Sequence, residues 1–233
     1  MRITIHQPEH LPWLGFLAKI NAADVWVVLD HVSYRKNYFQ NRNRVSNRGE
    51  DSWLTVPVSA KMETPISQVR IAETPGWQRK YLGRLDQALK IDVHTDSRFA
   101  GMASSIANAK PGDLLADLNM ELIEWMRGHF GIDTPVVLSS ELGIKTAKSD
   151  LILDICNALS ATQYIAGPSG RDYLVPGDFD NSGIEVRFFD FHHPVYDKTP
   201  PPFVPGMSAA DALANVPAEQ LQNLINDFEL AVT

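Results

Sequence analysis

The sequence contains one cysteine and no long apolar run. A single cysteine excludes an internal disulfide framework. The densest apolar stretch, residues 25–29, is far shorter than the roughly 20 residues that span a bilayer. The first residues also lack the apolar core of a signal peptide. We therefore expect a cytoplasmic protein with no membrane insertion.

The chain also lacks an excess of positive charge. Its formal net charge is −7 and its pI is about 5.4, which argues against DNA, RNA or an anionic membrane as a partner. The 233 residues are 44% apolar and 21% charged, as is typical of a soluble globular protein. We expect one domain over residues 1–233, belonging to an enzyme or to a protein that binds a small ligand.

The basic residues that are present are concentrated in one segment. Residues 31–49 hold five basic side chains and no acidic one, whereas the other 214 residues hold 16 basic and 28 acidic side chains, a net charge of −12. A local basic cluster on an acidic protein indicates an anion site. The alternative is a solvated loop whose arginines pair with carboxylates elsewhere. The five residues are Arg35, Lys36, Arg42, Arg44 and Arg48.

The apolar pattern predicts an α/β fold with a largely parallel, Rossmann-like sheet and flanking helices. Residues 3–5 and 25–29 have the pattern of strands, and a helix beginning at Pro12 separates them. This βαβ unit implies a parallel sheet. Further strands are expected at 53–58, 66–71, 136–138, 163–166 and 183–191, and further helices from about 74, 112 and 149. Residues 193–233 are expected to form a proline-rich loop and a terminal helix over 218–232, both packed on the domain.

The candidate site residues follow the first two predicted strands. Ligands of open α/β sheets bind beyond the carboxyl ends of the strands, and the helix near Pro12 would direct free N–H groups to the same edge. Asp30 is a candidate general base, although it could equally orient Lys36 or Tyr34, or cap a turn. Another candidate for the proton is His10. Anion-binding candidates are Lys36, Arg42 and Arg44; orienting candidates are Gln7, Tyr34 and Asn41.

Two later segments are weaker candidates. The turn at residues 167–170 follows a predicted strand and resembles a phosphate-binding turn, which makes Ser169, Gly170 and Arg171 candidate ligand contacts. His192 and His193 are adjacent on a strand and would point to opposite faces. No metal site is therefore predicted, and the residues indicate no particular cofactor.

Residues 7–45, QPEHLPWLGFLAKINAADVWVVLDHVSYRKNYFQNRNRV, resemble the WbqC-like family. Weaker likenesses at 139–144, 166–174 and 203–213 extend the resemblance over nearly the whole chain. The motif residues are Gln7, Pro8, Pro12, Trp13, Gly15, Asp24, Asp30, Tyr34, Lys36 and Asn41 to Arg44, with Tyr196 further on. Trp13, Gly15 and Tyr196 become candidate substrate-binding residues through this resemblance. His10 stands where the family has an aromatic residue.

The family is associated with bacterial surface-polysaccharide and O-antigen gene clusters. The resemblance implies a transferase that modifies a nucleotide-linked amino sugar, by acyl or aminoacyl transfer. One alternative is a nucleotidyltransferase, since the predicted βαβ unit is similar to that superfamily. Its His-x-Gly-His motif is, however, replaced by Trp13-Leu-Gly-Phe16. The other is a non-catalytic protein that binds a sugar nucleotide.

Overall fold

A computed structural model describes residues 1–232, in ten strands and seven α-helices. The strands are β1 (Arg2–His6), β2 (Val25–Val28), β3 (Arg42–Asn47), β4 (Glu50–Thr55), β5 (Val58–Ser59), β6 (Arg70–Ile71), β7 (Val136–Leu138), β8 (Gln163–Ala166), β9 (Glu185–Phe191) and β10 (Phe228–Val232). The helices are α1 (Leu14–Asn21), α2 (Trp77–Leu89), α3 (Ala100–Asn108), α4 (Leu115–Phe130), α5 (Lys148–Ala158), α6 (Pro176–Asn181) and α7 (Ala210–Asn215). No helix within residues 1–232 is long and apolar enough to cross a bilayer.

Six of the strands form one central sheet, in the order β10-β9-β8-β1-β2-β7. Five of them run parallel, with Ile3 opposite Val25 on one side and Tyr164 on the other. Numbered along the chain, these five have the order 3-2-1-4-5 of a doubly wound fold. The α/β prediction is therefore confirmed. The order reverses between β1 and β8, and a ligand crevice is expected at that point.

Both faces of the sheet are covered, which explains the continuous apolar run in β2. Trp26 and Val28 pack into a cluster with α1, α2, α3 and α4, whereas Val27 packs into a second cluster with β1 and α5. A strand that is buried on both faces needs apolar side chains at successive positions.

The predicted terminal helix is wrong. Residues Ala218–Ile225 form a 3-10 helix, and Phe228–Val232 forms β10, which pairs antiparallel with β9 from Phe228↔Phe191 to Val232↔Arg187. Leu221 and Ile225 are buried as the helical spacing predicted. Beyond them, the open edge of β9 offers backbone hydrogen bonds that a strand can use and a helix cannot. The proline-rich residues 193–206 have no helix or strand, as predicted.

The basic segment ends in a hairpin that we did not predict. β3 and β4 pair antiparallel through a turn at Arg48 and Gly49, both of which have positive φ. Alternation along β3 places Arg42 and Arg44 on one face and the buried Asn43 on the other. The segments predicted as strands at 53–58 and 66–71 meet only in the short β5–β6 ladder.

Candidate functional site

A cavity of about 360 Å³ lies beyond the carboxyl ends of β1, β2 and β8. We call it the sheet-edge cavity. Its floor includes the residues that follow these strands, namely Gln7, Leu29 and Gly167. It coincides with the point where the strand order reverses, as expected for a ligand site of this fold. Its charged lining residues are Glu9, Lys19, Arg35 and Lys148, with His6 beside them.

Glu9 and Lys19 are buried in this cavity without a direct partner. Glu9 is 6% exposed and Lys19 is 5% exposed. Within residues 1–232 they form no ion pair with each other; the imidazole of His6 lies beside Glu9, with its Nδ1 4.0 Å from Oε1. A buried charge is normally paired or hydrogen-bonded, because desolvation is costly. These two groups therefore remain available to a molecule in the cavity.

Burial also shifts the pKa of each group toward pH 7. It raises the pKa of Glu9 to about 7, against the opposing charge of Lys19. It lowers the pKa of Lys19 to about 8, against the opposing charge of Glu9. A carboxyl and an ammonium that titrate this close to neutral pH can accept and donate protons during a reaction.

His6 lies beside this pair as a neutral imidazole. Its pKa is held well below the ordinary value, first by burial and then by the charge of Lys19. The ring Nδ1 is 3.1 Å from the carbonyl oxygen of Gln7 and donates to it, so we assign the unprotonated nitrogen as Nε2. The ring packs edge-on against Phe16. His6 thus offers an acceptor whose orientation is held by packing.

Three predicted site residues line the sheet-edge cavity: Gln7, Ser169 and Gly170. The side chain of Gln7 accepts a hydrogen bond of 2.7 Å from Gln40 Nε2, which fixes its carboxamide. The packing around Gly170 is tight, since a Cβ there would lie 3.0 Å from Leu174 and 3.1 Å from Ala166. The backbone N–H of Gly170 donates to the carbonyl of Gly167. Arg171 stacks on Phe188 at 4.1 Å.

Four other predicted residues line a different cavity, of about 540 Å³, beside the β3–β4 hairpin. We call it the hairpin cleft; the four are Tyr34, Lys36, Asn41 and Arg42. The Tyr34 hydroxyl donates to Asn41 Oδ1 at 2.9 Å. The single pocket expected from the sequence is therefore two cavities, and Lys36 lies in the one without Glu9.

Arg44 does not join either group of residues. Its guanidinium forms an ion pair of 2.7 Å with Asp51 on the neighbouring strand. The alternative stated for the basic segment, an arginine paired with a carboxylate, therefore applies to Arg44.

Asp30 is buried and caps a turn, which does not suit the role of general base. Its carboxylate accepts hydrogen bonds from Ser139 Oγ at 3.0 Å, Ser140 N at 2.9 Å and Ser140 Oγ at 2.7 Å. These three donors occupy most of its acceptor capacity. Asp30 thereby joins the end of β2 to the segment that follows β7, as its turn-capping alternative predicted.

His10 is fully buried and away from both cavities. Its Nδ1 lies 2.9 Å from Asn119 Oδ1 and its Nε2 lies 2.7 Å from the Tyr81 hydroxyl. Burial lowers its pKa to about 4. Because both ring nitrogens have partners, the structure does not support His10 as the group that handles a substrate proton.

Trp13 and Gly15 serve packing at the start of α1. A Cβ on Gly15 would lie 2.3 Å from the Trp13 indole, so only glycine permits the ring to lie over the first turn. The indole covers the helix start where we expected an anion. The indole also stacks with His193, at a centroid distance of 6.3 Å.

Tyr196 anchors the proline-rich segment. Its hydroxyl donates to Asp211 Oδ2 at 2.9 Å, and the other carboxylate oxygen accepts from Lys198. The side chains of Asp211 and Lys198 are fully buried. The role of Tyr196 seen here is therefore structural.

Sequence reasoning missed Glu9 and Lys19. Lys19 lies in a helix whose neighbouring residues are nearly all apolar, and it is buried with them. A lysine inside such a stretch is the signal that could have found it, since lysine is rarely buried unless paired. Glu9 lies in the turn after β1, among motif residues that drew attention to Gln7 and His10 instead.

We expect Asn119→Ala to destabilise the protein by about 3 kcal/mol. Asn119 Nδ2 donates to the carbonyls of Pro8 (2.9 Å) and Gln40 (2.6 Å), and its Oδ1 accepts from His10. Alanine leaves all three groups buried without a partner, at roughly 1–3 kcal/mol each before relaxation. Urea unfolding measures the loss. The control Asn108→Ala, on an exposed surface, should stay within about 0.5 kcal/mol; a similarly small effect of Asn119→Ala would contradict the assignment.

Comparison with known proteins supports the resemblance noted in the sequence. The WbqC-like protein family matches residues 7–223. The "Uncharacterized protein Rv1507c" of Mycobacterium tuberculosis (strain ATCC 25618 / H37Rv) is 29% identical over 224 residues, which cover 94% of this chain and 95% of that protein. No solved structure matches the chain significantly. With the match extending over both cavities and the residues between them, the chain belongs to the WbqC-like protein family.

Proposed function

We propose that this chain is a cytoplasmic transferase that modifies a nucleotide-linked sugar in the sheet-edge cavity. The observation that supports this most strongly is the pair of buried, uncommitted charges, Glu9 and Lys19, at the point where the strand order reverses. The transferred group we propose is acyl or aminoacyl. The surface-polysaccharide setting follows from the family resemblance alone.

The lining charges of the cavity favour an anionic ligand. Lys19, Arg35 and Lys148 supply three cations against the one carboxylate of Glu9. Ammonium and guanidinium groups form strong, charge-assisted hydrogen bonds to phosphate oxygens. Two exposed tyrosines that line the cavity, Tyr38 and Tyr173, offer flat apolar faces against which a base or a sugar ring can pack.

In this proposal Glu9 transfers the proton and Lys19 stabilises the developing negative charge. Ionised Glu9 accepts a proton as an amine or hydroxyl of the sugar attacks the carbonyl carbon of an activated acyl donor. A C–N or C–O bond forms, the bond to the donor's leaving group breaks, and that group leaves with the electron pair. Glu9 then returns the proton to the leaving group. The ammonium of Lys19 stabilises the negative charge that develops on the acyl oxygen.

A thermal-shift screen of nucleoside diphosphate sugars tests the proposal. A ligand at about 100-fold excess over its Kd adds about 2.7 kcal/mol, which corresponds to roughly 5–10 °C in Tm at this chain length. Lys19→Met should abolish the shift, while Lys110→Met, which replaces an exposed lysine, should preserve it. If no nucleotide-linked sugar raises the Tm of the unmodified chain, the proposal fails.

The strand order also favours a second candidate, nucleotidyl transfer. Folds with this strand order commonly bind nucleotides at the point where the order reverses. In this chain that point lies between β1 and β8, beside the sheet-edge cavity. The residues at 13–16 nevertheless lack the two histidines of the nucleotidyltransferase motif. This candidate requires ATP–pyrophosphate exchange in the presence of an acid acceptor, and the sugar transferase does not.

A further inference from the structure

We propose that the hairpin cleft binds a second, phosphate-bearing small molecule. Calling that molecule the donor of the transferred group rests on the proposed function, since a transferase holds two substrates. The cleft is larger than the sheet-edge cavity, about 540 Å³ against about 360 Å³. Both volumes fall within the range of cavities that bind small molecules, roughly 300–1,000 Å³.

The charges of the cleft favour an anion. Three cations line it, Lys36, Arg42 and Lys61, and Glu63 is the one carboxylate among its lining residues. On a protein whose net charge is −7, this lining is a local excess of positive charge, as is that of the sheet-edge cavity. A cleft lined by one sign of charge raises the local concentration of the opposite ion.

Arg42 is held in place before any ligand binds. Its guanidinium lies 4.0 Å from the centre of the Trp53 ring, and one terminal nitrogen donates to the carbonyl of Asn37. Its Nε is buried and has no hydrogen-bond partner within residues 1–232. A stacked guanidinium with free N–H groups is preorganised for a phosphate, because little side-chain entropy is then lost on binding.

The rim of the cleft provides apolar surface as well. Met62 is 92% exposed there, although methionine is among the residue types most often buried. A flexible thioether side chain adapts to apolar ligand surfaces of varied shape. The lining thus suits a molecule with a phosphate group at one end and an apolar or acyl part at the other.

One loop separates the two cavities. Arg35 and Tyr38 line the sheet-edge cavity, whereas Tyr34, Lys36 and Asn37 line the hairpin cleft. The loop is fixed at its start by the hydrogen bond from Tyr34 N to the carbonyl of Thr64, at 2.8 Å. Ligands bound in the two cavities at once would therefore contact the same five-residue loop.

Fluorine NMR of 5-fluorotryptophan-labelled protein, with pyrophosphate as the probe, tests this inference. Trp53 is the reporter because it stacks on Arg42, and Trp53→Phe identifies its resonance. Pyrophosphate should shift this resonance saturably. The double variant Lys36→Ala/Lys61→Ala, which changes two exposed side chains, should weaken that titration at least tenfold. Lys148→Ala, on the sheet-edge cavity, should leave it unchanged.

The outcomes separate this inference from the proposed function. A Trp53 resonance that stays in place up to millimolar pyrophosphate overturns the hairpin-cleft site, and the sugar-nucleotide screen remains an independent test of the sheet-edge cavity. Equal weakening by Lys36→Ala/Lys61→Ala and by Lys148→Ala also overturns it, since one shared anion site would explain both. A shifted Trp53 resonance without any response to nucleotide-linked sugars supports the cleft as an anion site while the proposed function fails.

Discussion

Glu9→Gln is expected to lower kcat of the proposed transfer reaction by about 10²–10⁴-fold, the range for loss of a general base. Glutamine keeps the shape of the side chain and cannot take the proton. Binding of the nucleotide-linked sugar should change little, because the cations Lys19, Arg35 and Lys148 remain. Turnover and the thermal shift, measured on the same preparation, separate the two effects. Glu219→Gln, at an exposed position, is the matched control and should retain full turnover.

If the proposed transfer takes place, the unmodified protein should show a bell-shaped dependence of kcat on pH. Activity rises as Glu9 ionises, with its pKa at about 7, and falls as Lys19 loses its proton, with its pKa at about 8. The two groups interact, so the limbs of the profile belong to the pair. In Glu9→Gln the rising limb should disappear. If Glu9→Gln kept full turnover and both limbs of the profile, Glu9 would not be the general base. If the unmodified chain bound the sugar without turnover, the protein would be a non-catalytic binding protein.

The same substitution should stabilise the fold at pH 8. Glu9 has a pKa of about 7 in the folded chain, against an ordinary value of 4.5. Between these values the folded state binds more protons than the unfolded state, so stability falls as pH rises through this window. Over the whole window, the free energy of unfolding falls by about 3 kcal/mol. Glu9→Gln avoids this loss, but it also removes the negative charge that stabilises the ammonium of Lys19. We therefore expect the variant to gain about 1–3 kcal/mol in free energy of unfolding at pH 8 and almost nothing at pH 4.5.

Urea unfolding of both proteins at the two pH values measures this gain. An equal effect at pH 4.5 and pH 8 would contradict the idea that Glu9 is a buried, functionally strained carboxylate. A gain confined to the higher pH is expected of a site whose charges serve a ligand at some cost in stability.

Asp211→Ala should destabilise the protein by about 5 kcal/mol, the largest stability effect we expect. Removing one partner of a buried ion pair leaves the other charge uncompensated, at about 3–5 kcal/mol, and the Tyr196 hydroxyl also loses its acceptor. Since a domain is typically stable by only 5–15 kcal/mol, a large part of the variant should be unfolded at moderate urea concentrations. Before global unfolding, residues 193–206 should become sensitive to proteases.

A double variant keeps this prediction testable. Asp211→Ala/Lys198→Met removes both charges, and it should recover most of the lost stability because no unpaired charge remains. The pair Asp24→Ala and Arg2→Ala serves as the control, since both side chains of that ion pair are about half exposed and the pair should contribute at most about 1 kcal/mol. If Asp211→Ala cost no more than this exposed pair, the buried pair would not hold the proline-rich segment.

Local sequence patterns predicted strands and helices correctly where the residues of the element itself determine its structure. The run at 25–29 indicated a strand buried on both faces, and helical spacing indicated the burial of Leu221 and Ile225. The prediction failed where a distant partner was decisive. Residues 228–232 are a strand because β9 offers an open edge, and 42–47 are a strand because 50–55 folds back on them.

Some features of the candidate site also follow from the sequence alone, and others depend on the fold. Residue types and their order were enough to indicate an α/β fold, a concentration of basic side chains and the family resemblance, because these depend on the chain alone. The availability of each charge depended on the fold. Asp30 meets Ser139, which is 109 residues away, and Arg44 meets Asp51. Among residues 1–232, Glu9 and Lys19 meet no oppositely charged partner within 4 Å, and both face a cavity. Pairing and desolvation are properties of the packed molecule, and they decide which charged side chains are free to act.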